Sequence, residues 1–153
     1  MIDRRRSRDL AYTTAVGDAL EAIGRFFHAV NGGVVSAYVF GSLSEGRSHR
    51  ESDVDVGVLL DRQRHPTPAA RFEARVRLAG DLGAALHRND VDLVILDEAP
   101  PPLARRVVTT GRRVFCADPE ADHAFTRTTL SRAADLEPFL RRMRRIKLDA
   151  LRR

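Results

Sequence analysis

Apolar residues recur along the chain with two different spacings, which predict helices alternating with short strands. Over residues 9–30 they recur every three or four positions, as on one face of an α-helix, and Asn31-Gly32-Gly33 ends that helix. Residues 34–40 form a β-branched and aromatic run that predicts a strand. Residues 53–60 change from strict alternation to a continuous apolar run, as in a strand that enters a covered sheet.

The second half of the chain continues this alternation. Residues 91–96 predict a third strand, which is followed by the proline run 100–102, and residues 112–116 predict an edge strand. Three helical patterns separate and follow these strands, over residues 69–87, 102–110 and 119–153. Helices that alternate with short strands predict a two-layer α/β arrangement.

The composition is that of one soluble globular domain spanning residues 1–153, with a helical segment from about residue 119 to the end. No apolar run approaches the roughly 20 residues that span a bilayer, and the charged start lacks the apolar stretch of a secretory signal. Cys116 is the only cysteine, so no internal disulfide can form. We therefore expect a cytoplasmic protein without a membrane partner.

The net charge of +5 belongs to the C-terminal segment. Residues 124–153 carry nine Lys or Arg against three Asp or Glu, whereas residues 1–123 are close to neutral. A basic segment of this kind is more often a solvated helix face than a nucleic-acid site, so the charge disfavours a nucleic-acid partner. Its arginines are expected to steer an acidic partner surface, while its apolar stripe is expected to pack on the domain's own sheet.

Two groups of polar residues at strand ends carry candidate chemistry. Gly41-Ser42 ends a strand, where glycine permits close backbone approach to a phosphate; an ordinary turn is the alternative. Asp53 and Asp55 share one face of the next strand because strand geometry has a period of two. Their repulsion suits a hard cation such as Mg²⁺, and the alternative is a solvated face that merely tolerates aspartate.

A third candidate carboxylate stands at the start of the strand over residues 91–96. Asp92 lies there between apolar neighbours, where it either caps the strand entrance or joins a metal cluster from the adjacent strand. Asp90 has the same parity and competes for this assignment.

The order and spacing of these residues resemble those of the nucleotidyltransferase fold of the DNA polymerase β superfamily. Ten residues separate Gly41-Ser42 from Asp53-x-Asp55, and a later strand reads Val91-Asp92-Leu93-Val94. The proline loop and Thr110-Gly111-Arg112-Arg113 make the chain similar to the minimal nucleotidyltransferases, antitoxins that are paired with HEPN-domain toxins. The resemblance implies an α/β (α+β) fold, with a small mixed sheet packed with helices and a C-terminal amphipathic helix.

The resemblance also implies a site and a reaction. Three carboxylates would be catalytic and would hold two Mg²⁺ ions: Asp53, Asp55 and Asp92. Gly41, Ser42 and Arg47 would bind the phosphates of a nucleoside triphosphate. The implied reaction transfers AMP from ATP to a tyrosine hydroxyl of a cognate HEPN ribonuclease toxin, which silences the toxin.

One segment departs from the family's pattern. After Gly41-Ser42 the family has a small residue, arginine and glycine, whereas this chain reads Leu43-Ser44-Glu45-Gly46-Arg47. Glu45 removes a positive charge near the expected triphosphate, and Arg47 is the expected substitute. Two alternative functions stay open: an antitoxin that neutralises the toxin by binding alone, and a small-molecule nucleotidyltransferase of the aminoglycoside type.

Overall fold

A four-stranded mixed sheet organises the chain. The computed structural model describes residues 4–30, 32–46 and 53–151. Its strands are β1 (Val34–Phe40), β2 (Val54–Leu60), β3 (Val91–Ile95) and β4 (Arg112–Cys116). β1 pairs antiparallel with β2 and with β4, whereas β2 and β3 are parallel, which gives the order β3-β2-β1-β4. The expected mixed sheet and the edge position of β4 are confirmed.

The helices begin and end close to the positions that the pattern predicts, except that the first helix begins at Arg4 and not at residue 9. They are α1 (Arg4–Ala29), α2 (Pro68–Leu86), α3 (Pro101–Thr110) and α4 (Pro119–Leu151). At the start of α2 the Thr67 side chain accepts a hydrogen bond from the Ala70 amide at 3.1 Å, as expected of an N-cap residue. At its end His87 adopts a left-handed conformation with φ of 53° and closes the last turn.

Helices cover both faces of the sheet. On one face Val56 and Phe27 belong to an apolar cluster shared with α1 and α2. On the other face Gly57 lies under Leu96 of the loop before α3 and Val107 of α3. The α/β class is confirmed, but the expectation of two layers is wrong. Successive residues of β1 and β2 point to opposite faces of the sheet, and apolar residues occur on both faces. Each face is therefore covered by its own helices.

A buried carboxylate anchors the start of α4 to the sheet. Asp122 is 1% exposed and accepts hydrogen bonds from the Tyr38 hydroxyl at 2.8 and 3.0 Å and from Nη1 of Arg113 at 2.8 Å. Burial raises the pKa of Asp122, but the nearby Ser36 hydroxyl, Arg113 and Tyr38 outweigh burial and hold it below its ordinary value. Burial, together with the bond to Asp122, raises the pKa of Tyr38 to about 12.

The second half of α4 extends beyond the sheet with its apolar stripe exposed. Phe139, Met143 and Ile146 are 56%, 48% and 56% exposed. Leu136 and Leu140 of the expected stripe are half-buried, but these three residues are exposed. The expectation that the whole stripe packs on the domain's own sheet is therefore wrong. A helix of 33 residues is about 50 Å long, roughly twice the length of a seven-residue strand. Within the described residues, no helix combines the length and the apolarity needed to cross a membrane.

We expect Asp122→Ala to lower the free energy of unfolding by about 2–3 kcal/mol, because the Tyr38 hydroxyl and Arg113 lose their shared acceptor. Urea unfolding measures the loss. Glu120→Ala is the matched control, since Glu120 lies in the same helical turn but is exposed, and it should cost less than about 0.5 kcal/mol. Equal losses for both variants would contradict the anchoring role of Asp122.

The same interaction predicts a pH dependence. Because the pKa of Asp122 is lowered in the folded state, its contribution to stability is complete above the ordinary carboxyl pKa of 3.8. That contribution is lost as the pH falls through the lowered value of the folded state. The difference in stability between the wild type and Asp122→Ala should therefore shrink on acidification.

Candidate active site

The predicted site residues that the structure describes meet at one end of the sheet, where β1 finishes and β2 and β3 begin. Phe40, the last residue of β1, pairs with Asp55 in the antiparallel register. Asp55 in turn pairs with Asp92 in the parallel register of β2 and β3. The Gly41-Ser42 turn follows Phe40 directly. Sheet pairing therefore brings residues that are far apart in sequence to a single edge.

The three predicted carboxylates face the same side of this edge. Asp53 and Asp55 are two positions apart on one strand, and Asp92 lies beside Asp55 on the next. Burial raises the pKa of Asp55, the negative charges of Asp92 and Asp53 raise it further, and Arg106 opposes them. The carboxylates therefore interact electrostatically, and the ionisation of Asp55 is hindered.

The donor set at this edge fits a magnesium ion in its chemistry. Carboxylate oxygens are the ligands that Mg²⁺ prefers, and the repulsion acting on Asp55 is what a cation would relieve. In the described part of the chain, no group of three or more His, Cys, Asp or Glu side chains is positioned to hold a metal ion. Asp53 and Asp92 are exposed, so packing does not fix their rotamers.

Gly41 brings the backbone of the turn directly onto Asp55. Its φ of +71° lies in the left-handed region, and a Cβ built on it would collide with Oδ2 of Asp55. The Ser44 hydroxyl and the Glu45 amide both donate to the Gly41 carbonyl, at 2.9 and 3.2 Å, which closes the turn. Glycine is required here both for the backbone conformation and for the close approach of the carboxylate.

The two competing carboxylates of β3 have different surroundings. Asp90 accepts bonds from Nε and Nη2 of Arg88 at 2.7 and 2.5 Å, and the Arg88 guanidinium holds the pKa of Asp90 below its ordinary value. Asp92 lies instead beside Asp55. The surroundings of Asp92 therefore match the expected third carboxylate of the cluster better than those of Asp90.

One predicted phosphate-binding residue, Arg47, lies outside the described residues. A cation that sequence reasoning missed, Arg106 of α3, reaches the turn: its Nη2 lies 3.3 Å from Oε1 of Glu45. Its position in the middle of a short helix that ends before Gly111 was visible in the sequence. What was not visible is that β4 pairs with β1 and so returns the end of α3 to this edge.

A large cavity of about 1080 Å³ lies at the opposite end of the sheet, between the start of β1 and α4. Leu59, Asp97 and Phe125 are among its lining residues, and none of the predicted site residues is. The cavity and the predicted carboxylates therefore lie at opposite ends of the sheet. We assign the site to the carboxylate edge, because cation binding and phosphate binding require charged and polar groups that converge.

Comparison with known proteins identifies the family. Residues 22–120 match the family described as polymerase beta, nucleotidyltransferase. The chain belongs to this family. Over 94 residues the nucleotidyltransferase is 38% identical to protein adenylyltransferase MntA of Shewanella oneidensis, and the match covers 61% of this chain and 62% of that relative. The match therefore spans less than two thirds of the relative's length.

Solved structures agree with this assignment. A crystal structure of a toxin-antitoxin with AMP-PNP is similar with a TM-score of 0.62 and 30% identity, over 88% of this chain and 98% of that one. The MNT antitoxin complex with a tri-AMPylated Shewanella oneidensis HEPN toxin gives a TM-score of 0.57 and 26% identity, over 90% and 99% of the two chains. The resemblance stated from the sequence is confirmed.

We expect Asp55→Asn to stabilise the nucleotidyltransferase in the absence of metal, raising Tm by roughly 2 °C at pH 7. The substitution removes a partly buried charge that Asp92 and Asp53 repel. Because the folded-state pKa of Asp55 is raised, ionisation costs stability as the pH rises through that value, so the gain should disappear towards pH 4. Thermal melting at several pH values measures it.

Asp90→Asn is the control for this prediction. It removes a charge from the same edge of the sheet, but that charge is paired with Arg88. It should lower Tm, whereas Asp55→Asn raises it. A fall in Tm for both variants would contradict the repulsion among the three carboxylates.

A second prediction compares two glycines with the same backbone conformation. Gly41 and Gly46 have φ of +71° and +67°, but a Cβ on Gly46 would meet nothing within 4 Å. Gly46→Ala should therefore cost only the backbone strain, about 1 kcal/mol, while Gly41→Ala should cost at least about 1 kcal/mol more. Urea unfolding separates the two, and in an Asp55→Ala background the excess at Gly41 should shrink. An equal cost at both positions would refute the contact.

Proposed function

We propose that the chain is a Mg²⁺-dependent nucleotidyltransferase that transfers AMP from ATP to a tyrosine hydroxyl of a cognate HEPN toxin and thereby inactivates it. The observation that carries the proposal is the register that sets Asp55 beside Asp92, with the Gly41 turn against Asp55. Likeness to protein adenylyltransferase MntA supports the reaction. Likeness to the MNT antitoxin in complex with a tri-AMPylated HEPN toxin supports the partner.

In this proposal three carboxylates hold the metal, with two ions expected: Asp53, Asp55 and Asp92. When bound, Mg²⁺ would neutralise phosphate charge and favour in-line displacement at the α-phosphorus, in which the tyrosine oxygen bonds to phosphorus and pyrophosphate leaves. The backbone at Gly41 and the Ser42 hydroxyl bind the β- and γ-phosphates, with Arg47 as an additional cation. Asp92 lies on the side of the incoming hydroxyl, where its carboxylate can accept the tyrosine proton.

The exposed half of α4 is the surface that we assign to the partner. Its stripe of Phe139, Met143 and Ile146 is exposed, and apolar side chains exposed in a row are typical of a protein interface. Five cations flank the stripe: Arg141, Arg142, Arg144, Arg145 and Lys147. Charges at the rim of an interface steer an acidic partner surface into place. We place the reaction in the cytoplasm, where ATP is available.

One observation favours a second candidate, an antitoxin that neutralises the toxin by binding without catalysis. Glu45 occupies the turn where the family has arginine. Its ion pair with Arg106 neutralises a positive charge close to the expected phosphates. The exposed stripe on α4 would serve a binding antitoxin equally well. The two candidates differ only in whether AMP is transferred.

The test combines the purified chain, α-labelled ATP, Mg²⁺ and the cognate HEPN toxin. Wild type should label the toxin, while Asp53→Asn and Asp55→Asn should reduce labelling by roughly 100-fold or more, because removal of a metal ligand leaves phosphate charge uncompensated. Asp92→Ala should eliminate turnover but weaken ATP binding only modestly.

Asp90→Ala is the matched control, and it should be nearly silent in the labelling assay. Normal turnover in Asp53→Asn or Asp55→Asn would overturn the metal-site assignment. The opposite ranking of the Asp92 and Asp90 variants would mean that the third carboxylate is Asp90. If the chain neutralises the toxin without labelling it, the function is binding of the toxin and not AMP transfer.

A further inference from the structure

The turn that follows β1 contains a carboxylate where a phosphate-binding turn needs positive charge. Residues 41–46 include Glu45 and no cation. Arg106 contacts this turn from α3, with its Nη2 atom 3.3 Å from Oε1 of Glu45. The Arg106 side chain is 56% exposed and that of Glu45 is 25% exposed, so the ion pair lies at the protein surface. A surface ion pair of this kind is weak and easily exchanged.

The path of α3 explains why Arg106 reaches the site. α3 begins at the far end of the sheet, where Pro101 and Ala104 line the large cavity. It ends at Gly111, and the next residue, Arg112, pairs with Val39 of β1 near the Gly41 turn. Val107 is buried against the sheet, which fixes the rotation of the helix. Arg106 is therefore held over the face of the sheet that carries Asp55.

The neighbouring cations have different environments. Arg113 is bound to the buried Asp122, and Arg88 is bound to Asp90. Arg112 pairs with Val39, whose side chain is buried on the opposite face of the sheet. Arg112 therefore also points to that opposite face. Among the residues that the structure describes, Arg106 is a cation that both contacts the turn and acts on Asp55.

We propose that Arg106 binds the phosphates of the nucleotide in this chain, and that Glu45 restrains it until a nucleoside triphosphate displaces the Glu45 carboxylate. This inference rests on the proposed function, because it assigns a further residue of the same site. A triphosphate presents more negative charge to the guanidinium than one carboxylate does, and it accepts the planar fork of arginine. The exchange therefore replaces a weak surface pair by a charge-assisted phosphate contact.

The test measures binding of ATP with Mg²⁺ by calorimetry, without the toxin. Arg106→Gln should raise Kd about tenfold, the usual effect of losing one arginine–phosphate contact. Glu45→Gln should lower Kd about threefold, because Arg106 no longer has to leave a partner. In the double variant, Kd should equal that of Arg106→Gln. Adenosine binding should be unchanged in all three variants, since adenosine carries no phosphate.

Arg105→Gln is the matched control. Arg105 is the adjacent residue of the same helix, is similarly exposed, and pairs with Glu137 of α4 at 3.7 Å instead of with the turn. It should leave Kd for ATP within about twofold of the wild type. Equal losses of ATP affinity in Arg105→Gln and Arg106→Gln would show that the effect depends only on net charge. That outcome would overturn the proposal.

Two further outcomes separate this inference from the proposed function. If wild type binds ATP and Arg106→Gln binds it equally well, Arg106 is not a phosphate ligand and this inference alone fails. If Glu45→Gln strengthens binding equally with and without Arg106, Glu45 acts by direct repulsion and its restraining role is overturned. Absence of ATP binding by the wild type with Mg²⁺ would overturn the proposed function and this inference together.

Discussion

The parallel register of β2 and β3 is the constraint on which the site depends. Backbone pairing sets Asp55 beside Asp92 although the two charges repel. The register is held because Val56 and Leu93, on the other face of the same strands, are buried in the core. A slip by one residue would turn the carboxylates into that core and the apolar residues out. Core burial therefore maintains the charge repulsion among the carboxylates at this edge.

The helices α3 and α4 on the second face stabilise the fold, and α4 also presents an exposed surface. The anchor at Asp122 lies in the stabilising part of α4. Tyr38 and Arg113 fix the start of α4 to β1 and β4 through a buried carboxylate. α3 is then held between the sheet and α4, with Val107 packed on one side and Arg105 paired with Glu137 on the other. The part of α4 beyond this packing is exposed. One helix thus stabilises the fold with its first turns and presents an apolar surface with its last.

The elements of this fold were predictable because their signals are local. Strand periodicity put Asp53 and Asp55 on one face, and the spacing from Gly41-Ser42 identified the turn. Arg106 and Asp122 were missed because their roles depend on the pairing of β4 with β1, more than 70 residues apart in the chain. The error at the α4 stripe has another cause: helical periodicity reveals an apolar face, but not whether the chain itself covers that face.

Charge balance at the edge explains why a cation matters before any chemistry takes place. Apart from Asp90, which is paired with Arg88, the carboxylates described at this edge are those of Asp53, Asp55, Asp92 and Glu45. Arg106 is the cation that acts on them from α3. A nucleoside triphosphate is itself a polyanion, so it is repelled from such an edge unless divalent charge accompanies it. Family members that have arginine in the turn begin with one cation more and one anion fewer. Under the proposed function, Glu45 in the turn would make this chain depend more heavily on Mg²⁺ to admit the nucleotide. A cation carried by the adjacent helix could replace the missing one, because Coulomb attraction depends on distance and not on which element carries the charge.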